Sequence, residues 1–372
     1  MASDVFFIPR ATSNRKQSFV ERTRTALRKA GIEEAIQPKK FVAVKLHFGE
    51  LGNPTALRPP YVRAVVEEVK GRNAKPFLVD TNTLYRGSRS NAHDHLLTAF
   101  ANGFSYGTVG APVIIGDGLR GKAFQTVPID GTHFKEAHIA EAIYMADALV
   151  VLSHATGHNI AGFGGAIKNL AMGCSAPIGK RQQHEQSKPQ VNPEKCVGDG
   201  ECTRWCPANA IKIKDKKATI DYDVCIGCGE CVVTCPEGAI RIAWDEETAV
   251  AMEKFAEYAT AALTRKKHST LFVTYLLDVT PGCDCAGFSD TPIVPDLGAL
   301  VSRDPVAVDQ AAIDLIAQSP GIPGTKLGDQ TAPGVEKFRV LYPDADWAVQ
   351  LDHAVAMGLG SREYAITEIA DV

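Results

Sequence analysis

Short apolar runs alternate with amphipathic stretches through the first half of the chain. Phe41–Leu46 (FVAVKL), Pro76–Val79 (PFLV, leading into Asp80) and Ala148–Leu152 (ALVVL) are brief and almost wholly apolar, so they predict buried strands. Between the first two, the apolar spacing predicts a helix from about Pro60 to Val69. After the third comes a turn-rich stretch, SHATGHNIAGFGG, and then a predicted helix from Ala166 to Met172. Strand and helix in this rhythm predict an α/β fold.

The rhythm breaks at about residue 180. Lys180 to Pro193 is polar, with Gln182, Gln183, Gln186, Gln190 and two prolines, and reads as a linker. Beyond the cysteine-rich stretch that follows, Asp245 is placed to cap an amphipathic helix running to about Lys266, with Val250, Met252, Phe255, Tyr258, Ala259 and Leu263 as its apolar positions. Ser269–Val279 then predicts a strand and Val306–Ile316 a helix. The expected organisation is one large α/β domain built from residues 1–189 and 246–372, interrupted by an inserted domain at 190–245.

Composition narrows the class of function. The 372 residues are 45% hydrophobic, enough for more than one structural unit. Forty Lys and Arg stand against 43 Asp and Glu, for a net charge of −3, with no basic block to bind a phosphate backbone. Nucleic acid is not an expected partner. No apolar run has the length of a signal peptide or a membrane span, so a cytoplasmic protein without a membrane partner is expected. Seven of the ten cysteines lie between Cys196 and Cys235, and the others are Cys174, Cys283 and Cys285. In a long chain without an export signal, such crowding points to metal ligation rather than disulfides.

Cys225, Cys228, Cys231 and Cys235, followed by Pro236, form the C-x2-C-x2-C-x3-C-P run of bacterial ferredoxins. Twenty-nine residues upstream the run recurs as Cys196, Asp199, Cys202 and Cys206 before Pro207, and CPANAI is matched by CPEGAI. The intervening IKIKDKKATIDYD suits a hairpin. In such pairs the fourth cysteine of each run serves the other cluster. Cluster one therefore takes Cys196, Asp199, Cys202 and Cys235, and cluster two takes Cys206, Cys225, Cys228 and Cys231, as 4Fe-4S centres in an inserted bacterial-ferredoxin-like α+β domain. Asp199 stands where the repeat demands cysteine, and a carboxylate is a harder ligand than a thiolate. Three outcomes stand open: Asp199 ligates, iron is lost to leave a 3Fe-4S cluster, or water or an exogenous ligand takes the corner. A zinc module would show paired knuckles instead of a four-member run. Gly198, Gly200, Gly227 and Gly229 let the backbone wrap closely enough to aim N–H groups at sulfur.

The chain resembles the iron-sulfur proteins grouped as domain of unknown function 362. The likeness covers almost the whole chain and rests on VAVKLHFGE (42–50), PFLVDTNTLYRGSRSNAHDH (76–95), GAPVIIGDGL (110–119), LSHATGHNIAGFGGAIKNLAMGC (152–174), the paired cysteine runs, GCDC and SRDPVAVDQAA. The resemblance implies an iron-sulfur protein. It also implies a cysteine at the position of Asp199, the clearest departure of this sequence.

Polar residues gather at the ends of predicted strands: Lys45, His47 and Glu50; Asp80, Asn82 and Arg86; His154, His158 and Lys168. Open α/β sheets place ligands there, so these residues are pocket candidates. His47 and His154 also suit a structural role, and Arg86 and Arg89 suit pairing with surface acids. GFGGAIKN has neither nucleotide-loop spacing, which leaves anion binding at the helix start. Cys174, Cys283 and Cys285 are candidates for a third metal site, completed by Asp284 or a histidine, or are simply buried or redox-active thiols. The leading expectation is an oxidoreductase whose clusters pass electrons to or from a pocket in the α/β domain, with a redox protein or a small molecule as partner. The rival expectations are an electron carrier without catalysis of its own and an iron-sulfur sensor or metal-delivery scaffold.

Overall fold

A computed structural model describes residues 2–11, 17–84, 87–184, 188–225, 231, 234–242 and 247–369. The chain opens with β1 (Ser3–Pro9), then runs through β2 (Phe41–Lys45), β3 (Lys75–Asp80) and β4 (Val113–Ile115). Next come an antiparallel pair, β5 (Phe124–Pro128) with β6 (Glu136–Ala140), the long β7 (Ala148–His154), and a small hairpin, β8 (Thr156–His158) with β9 (Gly162–Gly164). The cysteine-rich segment holds β10 (Pro189–Val191), β11 (Ile211–Lys214), β12 (Lys217–Ile220) and β13 (Ile240–Ile242). After it come β14 (Thr270–Leu276), β15 (Gly298–Ser302) and β16 (Tyr364–Glu368).

Eight of these strands form one sheet in the order β16-β1-β15-β14-β7-β2-β3-β4. β14, β7, β2, β3 and β4 are parallel to one another, and β15 runs against both its neighbours. Both faces are covered. Along β7, Leu149 and Val151 join one core with the helices Ala166–Cys174, Glu247–Leu263 and Pro305–Gln318, while Ala148, Val150 and Leu152 join the other with the helices Phe19–Lys29 and Pro59–Gly71. This is why the predicted strands read as continuous apolar runs rather than as alternating ones. In the sequence β1 shows only a short apolar patch around Phe6 and Phe7. It becomes a strand because β15 and β16 flank it on either side.

The stretch read as a linker is corrected by the structure. Pro177–His184 is a helix with Lys180, Gln183 and His184 buried, and Pro189–Val191 is a strand paired to Ile240–Ile242. These three polar residues are spent inside the protein, where local composition gave no sign of burial, while Arg181 and Gln190 stay exposed. No helix among the described residues is long and apolar enough to cross a membrane. Arg86, Cys228, Gly227, Gly229 and Asp245 lie outside the described residues.

Candidate functional site

The chain passes from β2 outward through β3 to β4, then returns to place β7 on the other side of β2. At such a reversal the connecting loops leave in opposite directions, and a crevice opens beyond the carboxyl ends of the strands. A cavity of about 180 Å³ lies there. Lys45 and His47 reach it from β2, Asp80 from β3, His154 from β7, and Cys283–Cys285 from the loop after β14. His158 comes from the small hairpin and Lys168 from the helix that follows. The strand-end residues picked from the sequence thus meet in one place, with three exceptions. Arg86 is not described, Glu50 stands behind the wall, and Asn82 is absent from the lining, its side-chain amide donating to Asp117 Oδ1 at 2.9 Å and the Gly118 carbonyl at 2.8 Å.

The floor is an ion network out of water. Lys45 Nζ pairs with Asp80 Oδ1 at 3.0 Å and donates to Asn169 Oδ1 at 2.8 Å and the Leu46 carbonyl at 3.1 Å. Asp80 Oδ2 faces Arg89 Nη1 at 3.5 Å and His95 Nε2 at 3.6 Å. Burial opposes the Asp80 charge, but Lys45 and the histidines outweigh it and hold the carboxyl well below the usual range. Arg89 Nε donates to Glu50 Oε2 at 3.0 Å, and Glu50 Oε1 accepts the Ser88 N–H at 2.7 Å and the Ser88 hydroxyl. Arg89 is 1% exposed, so it does not pair with surface acids as the sequence allowed. Lys180 Nζ donates to the Thr81 hydroxyl and the Asn82 carbonyl, both at 2.5 Å, and burial pulls it down to about 8.

Hydrogen bonds assign the protons of three histidines. His47 Nδ1 accepts the Gly49 N–H at 2.9 Å, so its proton sits on Nε2. His158 Nδ1 likewise accepts from Ile160 at 3.2 Å and Ala161 at 3.1 Å, and burial holds it neutral, well below the usual range. His154 is the opposite case. Its Nδ1 meets Asp284 Oδ2 at 2.9 Å and its Nε2 meets the Leu277 carbonyl at 2.7 Å, so both nitrogens face acceptors. Burial works against the imidazolium, but Asp284 prevails and the pKa is raised. Lys168 differs from all of these, since it makes no hydrogen bond or ion pair with any described residue.

Cys285 Sγ lies 3.5 Å from His47 Nε2. The Cys283 thiol donates to Cys285, and this bond, with His47 beside it, holds Cys285 well below the usual thiol range and drives Cys283 up. The third cysteine is elsewhere. Cys174 is fully buried in an apolar core, is absent from the cavity lining, and is pushed up to about 11 by burial. The start of the helix Ala166–Cys174 is also taken, because Asp309 Oδ1 and Oδ2 accept the N–H groups of Ala166 at 2.7 Å and Ile167 at 3.0 Å. The expected exogenous anion has been replaced by the chain's own carboxylate.

The cysteine segment packs as a separate small cluster. Cys196, Cys202, Cys206 and Cys231 are buried there, and Cys225 and Cys235 pack against them. No disulfide joins these six described cysteines. Equivalent bonds recur at the sequence interval of the two runs. The N–H of Ala210 donates to Cys206 Sγ and that of Ala239 to Cys235 Sγ, each at 3.3 Å, four residues on from the cysteine. In both, the residue before the alanine has a left-handed backbone, Asn209 at φ 53° and Gly238 at φ 55°. Ala218 N–H adds a third such bond, to Cys196 Sγ at 3.3 Å. Burial raises the Cys202 thiol, and Asp199, Cys235 and Cys196 are near enough to raise it further. Asp199 is exposed, its Oδ1 accepting the Glu201 N–H at 3.2 Å. Among the described residues no three thiol, imidazole or carboxylate groups converge on the position of a single ion.

Residues 42–314 match the sequence profile of the family described as Domain of unknown function (DUF362). The chain belongs to this family. The match spans every cavity residue named above and the whole cysteine segment. No curated protein matches the sequence. Among solved structures, the DUF362 chain is similar to the lactate racemase apoprotein from Thermoanaerobacterium thermosaccharolyticum, at 12% identity and a TM-score of 0.40, covering 74% of this chain and 51% of that one. A Thermotoga maritima protein from structural genomics gives 10% identity and a TM-score of 0.39 over 71% of this chain and 52% of its own. The DUF362 chain therefore spans about half the length of these structures.

Sequence reasoning missed several residues of the DUF362 site. Arg89, His95, Asn169 and Lys180 build its floor, and none carries a local signature. Asn169 sits one residue from Lys168, yet only the fold shows that it reaches across to Lys45.

Proposed function

We propose that the chain is an iron-sulfur oxidoreductase in which two cubane clusters, held by residues 190–245 in a ferredoxin-like arrangement, exchange electrons with a small molecule in the cavity. The observation that carries this reading is the repeated N–H···S geometry at Cys206 and Cys235, joined by that at Cys196. Backbone donors aimed at sulfur stabilise thiolates and suit cluster ligands. Cys196, Asp199, Cys202 and Cys235 would hold the first cluster, and Cys206, Cys225, Cys228 and Cys231 the second. Ligands of a cubane each bind a different iron, so the described members of the set, which converge on no single ion, suit a cluster. When bound, such clusters supply one-electron transfer. In the cavity, Lys168, with no hydrogen bond or ion pair to a described residue, offers its ammonium and His158 an Nε2–H to an anionic or carbonyl oxygen, while the His154 imidazolium keeps Asp284 in place.

The test is anaerobic purification with iron and sulfide analysis. Iron and acid-labile sulfide in equal amounts are expected. In addition, Asp199→Cys should slow iron loss to a chelator, and a three-iron electron paramagnetic resonance signal seen after oxidation of the wild type should be missing from the variant. Retained zinc with no sulfide would refute the reading.

A further inference from the structure

The loop Pro281–Cys285 presents two thiols to the cavity on a rigid mount. The Asp284 side chain is anchored to His154 and its carbonyl accepts the Glu50 N–H at 3.0 Å, while the carbonyl of Ala286 takes the Asn53 side-chain amide at 3.0 Å. Cys283 and Cys285 are two residues apart, hydrogen-bonded to each other, and both partly exposed. At Gly282 a Cβ would meet nothing within 4 Å, so the approach beside Cys283 is open. His47 cannot take a proton from Cys285, because Gly49 already occupies its only lone pair. It can only donate Nε2–H to a sulfur anion 3.5 Å away. Lys168, the cavity's unpaired ammonium, adds a preference for negative charge in whatever enters.

We propose that Cys283 and Cys285 form a redox-active dithiol whose substrate is a small anionic organic disulfide. The Cys285 thiolate attacks one sulfur of the substrate, a Cys285–substrate S–S bond forms, and the other half leaves as a thiolate. That thiolate takes the Cys283 proton. The Cys283 sulfur then attacks Cys285, closes a Cys283–Cys285 disulfide and releases the second half, which is protonated from solvent. Two electrons pass from the dithiol to the substrate, one disulfide is made and one is broken. The direction follows from the geometry, since His47 turns its Nε2–H to Cys285 Sγ at 3.5 Å and favours the anion there, which leaves Cys283 as the proton-bearing partner.

The inference goes beyond the cluster reading and does not depend on it. The test uses the full-length chain, purified anaerobically and treated with substoichiometric dithiodiglycolate, a dicarboxylate disulfide, or with cystamine, its diammonium counterpart. Peptide mass mapping follows residues 283 and 285 apart from the cysteine segment. Wild type should end with a Cys283–Cys285 disulfide and free thioglycolate, and Cys283→Ser should accumulate the mixed disulfide on Cys285. Dithiodiglycolate should react roughly tenfold faster than cystamine at low salt, and Lys168→Gln should remove that preference. First modification of wild type at Cys283, or at cysteines outside this loop while 283 and 285 stay reduced, would overturn the dithiol. Equal rates for the two probes would overturn the anion preference. Either failure leaves iron and sulfide content unchanged, so it is separable from failure of the cluster reading.

Discussion

Lys45 enters the cavity floor with its ammonium fully engaged by Asp80, Asn169 and the Leu46 carbonyl. A buried pair of this kind adds little net stability, because desolvation consumes most of the attraction, yet removing one partner strands the other charge. Lys45→Met should therefore lower the unfolding free energy by about 3–5 kcal/mol. Urea denaturation checks it, and Lys45→Met with Asp80→Asn should recover much of the loss. A double variant no more stable than the single one would mean that Asp80 is not the stranded charge. The histidines follow the same logic at lower cost. His47 and His158 each bind the N–H of a residue two positions on, which orients the ring and keeps its other nitrogen available to the cavity.

The helix Ala166–Cys174 shows how one element borrows its end from another. Gly165 has no side chain to cap it, so Asp309 of the helix Pro305–Gln318 supplies the acceptor. Burial raises the Asp309 carboxyl from 3.8 to about 7. An acid with a raised folded pKa holds its proton more tightly in the native state. Its contribution is complete below about pH 4 and is lost as pH rises toward about 7. Asp309→Asn does not ionise, so its thermal midpoint should fall less than that of wild type across this window. Parallel curves for the two proteins would show that Asp309 titrates normally. The helix Pro177–His184 teaches a related point, since Lys180, Gln183 and His184 face inward at helical spacing that an otherwise glutamine-rich stretch conceals.

In the whole molecule, the large sheet and the cysteine segment have separate cores. Pro189 and Ile242 are register partners in an antiparallel pair, so the chain leaves and re-enters the α/β part at adjacent points. Replacing residues 190–241 by a short glycine linker should leave a chain that unfolds cooperatively and keeps Cys285 more reactive than Cys174. Circular dichroism and alkylation mapping check both outcomes. A molten product would show that the sheet relies on the segment for its own packing.

Local spacing carried the central strands, the helix after the glycine-rich loop, the paired cysteine runs and the hairpin Ile211–Ile220, whose turn residues Asp215 and Lys216 both have positive φ. These features depend on residues a few positions apart, so their signals survive in the sequence alone. Much of the site's detail does not. Cys174 was grouped with Cys283 and Cys285 on ligand type, and the fold sends it to an apolar core instead. Asp309, Arg89 and Lys180 looked like ordinary charged residues until distant elements buried them against the partners they satisfy. The strand-end polar residues were legible as candidates because a parallel sheet puts ligands there. Which of them is paired, which proton each histidine holds, and that Lys168 makes no hydrogen bond or ion pair with a described residue were decided by contacts made across the folded chain, where desolvation makes each missing partner costly.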